Sequence, residues 1–442
     1  MLQCLTSAVF HPYTGAALLP LHSLAQALAA SPGMPPQPHV LNAALARSMQ
    51  EPCVMEAGTL VRLLCDTALA APGSPAAAAV LDAVCACAAA SSEAYSHVAC
   101  ALPPPGSDGA QAFAQTWDPS AQLPFLCVSA FFAGARKVYV PRAPAAAPSA
   151  AAGRILDALG RVDVGRTHHG ASPPAGYSQL LESAASQVAT QPEAACALMR
   201  AVPAPGELHV PWPHGGPAML GDAGLLARCV FLLRALPFVL PVAMVARRTG
   251  TAALQDEMRH LLLQAVVPFA LAFAASPAAG QPACRAAHVI IRALLVALPA
   301  AEFPGKADVA QKYAQASLDA FPGVPPDALA LAFDAALRAI PAQPDGSPHL
   351  ALLHALATRV HETPGPDSDE SRALRVALFR TLGAMPPRDL NDALPVYEAA
   401  VRRLHPGARQ EALDALCGAC TRVGASHKRR CVDWCLALAA SL

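Results

Sequence analysis

The chain has 442 residues, of which 102 are alanine and 44 proline, against only 27 glycines. Hydrophobic residues make up 54% and charged residues 14%, and 31 Lys+Arg balance 31 Asp+Glu. This composition excludes a disordered polyelectrolyte, a collagen-like chain and a nucleic-acid binder that works by basic charge alone.

Charge is spread unevenly. Residues 1–150 hold 5 Lys/Arg and 7 Asp/Glu, whereas residues 301–442 hold 15 and 16. The 14 cysteines run from Cys4 to Cys435 and sit mostly inside apolar helical patterns. That is the usage of free thiols in a reducing compartment rather than of a short secreted disulfide scaffold. The first basic residue is Arg47, so the charged start of a secretory signal is missing. A cytoplasmic or nuclear location is therefore expected.

Taken in chain order, apolar periodicity predicts helices over 16–30, 40–49, 54–71, 76–102, 123–138, 153–162, 177–190, 220–246, 252–274 and 283–298. No segment alternates with the period of a strand. The stretch 141–152 (PRAPAAAPSAAA) has the low complexity of a linker or surface loop, and 165–176 and 202–221 are Gly/Pro/His loops. Residues 225–246 are the most membrane-like. Arg228, Arg234, Pro237 and Pro241 interrupt them, and the uncharged run 235–246 is short of the roughly 20 residues a span needs. A buried helix pair, without a transmembrane span, is the expectation there.

From residue 277 the prolines become regular, at Pro277, Pro299, Pro322, Pro341, Pro364, Pro386 and Pro406. Successive intervals are 22, 23, 19, 23, 22 and 20 residues, and Gly424-Ala425-Ser426 makes a further break. Proline lacks the amide proton and clashes with the preceding turn, so each cluster ends or opens a helix. Between the breaks run amphipathic stripes: Leu329, Phe333, Leu337 and Ile340; Leu390, Leu394, Tyr397, Val401 and Leu404; Leu413, Leu416, Cys417, Cys420 and Val423. Arg388, Asp389, Asp392, Glu398, Arg402 and Arg403 fall on the other positions of the second helix and are expected in solvent.

Two such helices with their turns span about 40–46 residues, the period of HEAT and armadillo units. Residues 277–442 thus resemble four HEAT/armadillo-type helix pairs, although the proline, aspartate and arginine common in HEAT units occur here irregularly. The resemblance implies an all-α fold, a superhelical stack of antiparallel helix pairs, preceded by irregular Pro/Gly-rich loops in the N-terminal half. The expected organisation is an Ala-rich helical region over 1–140, a loop-rich helical connector over 141–221, and repeats over 222–442 that are most regular over 277–442.

Motifs that carry chemistry are sparse. Cys417, Cys420, Cys431 and Cys435 have the spacing C-x2-C, ten residues, C-x3-C, which invites a four-thiolate zinc site. Each pair also falls on one helical face, so two packed helices sharing buried thiols is the preferred reading, with no metal or cofactor. Cys85-Ala-Cys87 is a poor chelate because residues two apart do not share a face. His214-Gly215-Gly216 lacks the G-x-S-x-G partner of an esterase, and His168-His169 lies in a glycine-flanked loop. No phosphate-binding, dinucleotide-binding or H-E-x-x-H motif occurs. Lys428, Arg429 and Arg430 form the densest basic run and, with the loop tryptophans Trp117 and Trp212, are the candidate interaction residues.

The expectation is a non-catalytic scaffold or adaptor that binds other proteins on the surface of stacked helices. A place in a trafficking, nuclear-transport or transcription assembly follows by analogy. No direct nucleic-acid contact is expected. The apolar run 436–442 and the lack of a polar capping helix at either end suggest a missing neighbour, an interface or truncation, and with them a longer array or a larger complex. The alternatives are a membrane-associated helical protein built around 225–298, and a metal-binding or enzymatic protein using the C-terminal cysteines.

Overall fold

A computed structural model describes residues 146–162, 176–189, 192–203, 223–276, 281–341, 348–363 and 368–442, Gly365, and single positions between 81 and 89 and between 125 and 129. Helices fill these segments, and among the described residues there is no strand. Contacts divide the chain into two compact units, one of Met1–Pro203 with Met219–Met258, the other of Ala204–Ala218 with Arg259–Leu442.

In the first unit, α1 (Ala146–Val162), α2 (Tyr177–Ala189), α3 (Pro192–Arg200) and α4 (Ala223–Thr249) pack on one another. Two expectations need correcting. The segment 141–152 is not a linker throughout, because α1 begins at Ala146 and alanine is the best helix former. The 225–246 stretch is not a helix pair, because α4 runs unbroken through Pro237 and Pro241. Leu232, Leu233, Ala235, Leu236, Val239 and Leu240 are all buried, so the apolar middle of this helix is covered by protein. Burial on that scale outweighs the roughly 3 kcal/mol that an interior proline costs. The helix α3 lies between the predicted helix 177–190 and the predicted loop 202–221 and is not anticipated by the sequence.

Close approach holds this unit together. A Cβ on Gly160 of α1 would lie 2.9 Å from the Phe231 ring of α4, so the two helices meet where glycine leaves room. The buried Tyr177 donates its hydroxyl to the Leu159 carbonyl at 3.2 Å. Its ring also lies 6.0 Å from Phe125 and 6.0 Å from the Arg234 guanidinium.

The boundary between units falls within α5 (Ala252–Leu261), after Met258. A π-helical turn, Leu262–Val266, joins α5 to α6 (Val267–Ala274). The wide turn precedes Pro268, whose missing amide cannot continue the regular ladder. The stretch Ala252–Ala274 is the one described helix long and apolar enough, by length and composition, to cross a membrane, and more than half of its apolar window is buried in protein.

The second unit continues with α7 (Gln281–Ala297), α8 (Lys306–Asp319), α9 (Pro326–Ala339), α10 (Pro348–Glu362), α11 (Asp369–Arg380), α12 (Leu390–Arg402), α13 (Pro406–Cys420) and α14 (Ala425–Ser441). Among the described residues the predicted proline breaks at Pro299, Pro322, Pro341 and Pro386 lie between helices, and Pro406 takes the first helical position; Pro277 and Pro364 lie outside the described residues. The break at Met385-Pro386 follows a 3-10 turn, Thr381–Ala384, that extends α11.

Contacts follow a rule. Helices α7, α9, α11 and α13 touch in succession as one row. A second row runs α8, α10, α12, and the pairs α8–α9, α10–α11 and α12–α13 join the rows. Small residues make this possible. Ala328, Ala330, Ala332, Ala335, Ala336 and Ala339 of α9 are all buried, with Phe333 filling the centre, so α9 can be approached from α7, α8 and α11 at once. Polar links recur along the first row. Arg285 of α7 meets Asp327 of α9 at 3.4 Å, Arg338 of α9 donates to the Gly383 carbonyl after α11 at 3.3 Å, and Arg372 of α11 meets Glu411 of α13 at 3.6 Å.

Candidate functional site

The helices α13 and α14 carry both the cysteine set and the basic run. His405 caps α13, accepting the Gly407 amide at 3.3 Å, and Pro406 occupies the first helical position, where a missing amide costs nothing. The turn after Cys420 is closed by Arg422 N–H to Ala419 O at 2.9 Å and His427 N–H to Gly424 O at 2.9 Å. The two helices then run in opposite directions. Arg409 near the start of α13 donates to the Leu442 carbonyl at 3.4 Å, while Cys417 near its end meets Cys435.

The sulfur atoms of Cys417 and Cys435 are 3.3 Å apart. Cys420, Cys431 and Cys435 are buried, but Cys417 is exposed, which corrects its expected place in the buried stripe of α13. Partial burial of its sulfur, with the Cys435 thiol beside it, pushes the Cys417 thiol up to about 11. Hydrogen bonding to Cys420, then burial, pushes the Cys435 thiol well above the usual range, and the same bond lowers that of Cys420. Burial raises that of Cys431. Among the described residues no group of three or more His, Cys, Asp or Glu is placed to hold a metal ion.

Lys428, Arg429 and Arg430 are exposed in the first turns of α14, and Arg429 reaches Asp433 at 3.8 Å. On the same helix Val432 and Leu436 stay in solvent, Leu436 at 60% exposure. Trp434 is half-buried. Trp117, Trp212, His168, His169, His214 and Cys87 lie outside the described residues.

Two buried polar sites in the second unit were not anticipated. His349, at the start of α10, is fully buried. Its Nε2 faces the Leu337 and Ile340 carbonyls at 3.1 and 3.2 Å, and its Nδ1 lies 3.1 Å from Asp389. The ring thus meets carbonyls at the open end of α9 and ties them to the residue preceding α12. Asp389, expected in solvent, is only 6% exposed because this histidine comes to meet it. His288 of α7 is hydrogen-bonded through Nδ1 to the Tyr313 hydroxyl of α8. Burial lowers its pKa to about 4, partly offset by the Ala274 backbone and the charge of Asp327. Nearby, Cys284 donates to the Ala274 carbonyl at 3.2 Å, and burial raises its thiol to about 12. These groups are sealed from solvent and join helices.

No family model matches the chain, and no curated protein matches it. A solved structure described as "Circular tandem repeat protein with novel repeat topology and enhanced subunit contact surfaces" is similar at 10% identity. The match covers 98% of this chain and 96% of that one with a TM-score of 0.31. A likeness so loose carries no argument, and the class of this protein, all-helical in its described residues, rests on its own helices.

Proposed function

We propose that the chain is a non-catalytic protein-interaction scaffold or adaptor, built on a HEAT/armadillo-like α-solenoid over its second unit. The observation that carries this reading is the two-row contact rule of α7–α13. Helix pairs that stack on their neighbours present one continuous surface of exposed side chains, suited to holding an extended protein segment. The exposed first turns of α14 give that surface a charge preference. Lys428, Arg429 and Arg430, with Val432 and Leu436 beyond them, complement a segment that alternates acidic and apolar residues. A cytoplasmic or nuclear assembly, of the trafficking, nuclear-transport or transcription kind, is the setting this reading favours.

The test is affinity purification of the tagged full chain from native extract at low salt, beside the triple variant Lys428→Glu, Arg429→Glu, Arg430→Glu. A partner bound stoichiometrically by the wild type, depleted at least tenfold in the triple variant and released by salt, is the expected result. Recovery of no stoichiometric partner sinks the scaffold reading. A partner held equally by both forms removes the basic turn from it.

A further inference from the structure

We propose that Cys417 and Cys435 are a modification site: a thiol pair that a small disulfide of the glutathione class oxidises to an intramolecular cross-link between α13 and α14. Proximity and exposure together select this pair over Cys420, which also hydrogen-bonds to Cys435 but is buried. The two sulfurs are already 3.3 Å apart across the helix interface and need to close to about 2.05 Å. The same-helix pairs Cys417/Cys420 and Cys431/Cys435 are three and four residues apart, where Cβ atoms are about 5–6 Å apart, beyond the roughly 3.5–4.5 Å a disulfide needs. Exposure sets the order of events. Cys417 is exposed, whereas Cys435, Cys420 and Cys431 are buried, so a reagent in solution meets Cys417 first.

The chemistry balances. The Cys417 thiolate attacks one sulfur of the small disulfide, forming a mixed disulfide and releasing one small thiolate, which takes up a proton. Cys435 then loses its proton and attacks the Cys417 sulfur, and the second small thiolate leaves and is protonated. Two protein thiols are oxidised, one small disulfide is reduced to two thiols, and no other oxidant is needed. The Cys417 thiol, raised to about 11, is almost wholly protonated at neutral pH. The first step therefore accelerates about tenfold per pH unit between pH 7 and 10.

The experiment incubates the full chain with oxidised glutathione, alkylates the remaining thiols and maps tryptic peptides. The expected product joins peptides 410–422 and 431–442 with the loss of two hydrogens, leaving Cys420 and Cys431 alkylated. Cys417→Ser should abolish it, and Cys420→Ser and Cys431→Ser should retain it. In Cys435→Ala, shown folded by circular dichroism, glutathione should stay on Cys417. A cross-link that survives in Cys417→Ser overturns the proposal. So does a wild-type chain that stops at glutathionylated Cys417, or one in which Cys417 and Cys435 are both still alkylated at pH 9.

Discussion

The regular prolines of the second unit and the interior prolines of α4 in the first have opposite roles. In the second unit the described members of the regular proline series, Pro299, Pro322, Pro341, Pro386 and Pro406, fall at helix boundaries, whereas Pro395, outside that series, lies within α12. In the first unit Pro237 and Pro241 lie inside α4. The difference is in the flanking pattern. At Pro299 the apolar stripe stops and the exposed Ala300 and Ala301 follow, so nothing opposes the break. Around Pro237 the chain is apolar on every side, and helix is the form that lets Val230, Leu233, Leu236, Val239 and Leu240 all be buried with their backbone groups paired. A proline thus marks a helix end only where burial does not demand that the helix continue.

The two units also pack differently, and substitutions can sharpen that contrast. The largest effect is expected at the centre of the second unit. Phe333 is fully buried among alanines that cannot grow to fill a hole, so Phe333→Ala should cost about 3–5 kcal/mol, read as a lower urea midpoint. A cost below about 1 kcal/mol would mean that α9 is not the shared core of the row.

Acid should act through the same unit. The His288 pKa is lowered from 6.5 to about 4, so the folded state favours the neutral ring. Its contribution is full above pH 6.5 and is lost as pH falls toward 4, with about 2 kcal/mol gone by pH 5. Urea unfolding at pH 7.5 and 5.0 should show that extra loss in the wild type and not in His288→Gln.

In the first unit the sensitive point is a close approach rather than a large side chain. Gly160→Ala places a Cβ against Phe231 and should cost about 1–3 kcal/mol. Gly153, on the same helix, has open space around its Cβ position, so Gly153→Ala should stabilise by up to about 1 kcal/mol. Thermal melts of the two variants should move in opposite directions. Shifts of the same sign would remove the α1–α4 contact from the account.

The helices of the second unit were legible because proline and periodicity agree there. Leu390, Leu394, Tyr397, Val401 and Leu404 form a stripe in sequence and are all buried in the fold. The α3 helix was not legible, because a segment of nine residues leaves little room for a period. Asp389 was misplaced for a different reason. One helix considered alone puts it beside Arg388 and Asp392, and only the arrival of His349 from another helix makes its burial affordable. Cys417 shows the same limit. Its helix pattern puts it among apolar residues, but the edge of a stripe is exposed when the neighbouring helix covers only part of it. The Cys417–Cys435 approach depends on how two helices cross, which spacing within each helix does not specify.

The central claim, helices laid end to end between proline breaks and stacked in two rows, is tested most directly by amide hydrogen exchange on the full chain. Peptides within 281–297, 306–319, 326–339, 374–380, 390–402 and 406–420 should be protected together, with the buried row of α9 and α11 exchanging slowest. The segments around Pro299, Pro322 and Pro386 should exchange fast. Protection running unbroken through those prolines, or α9 exchanging as fast as the turns, would contradict it.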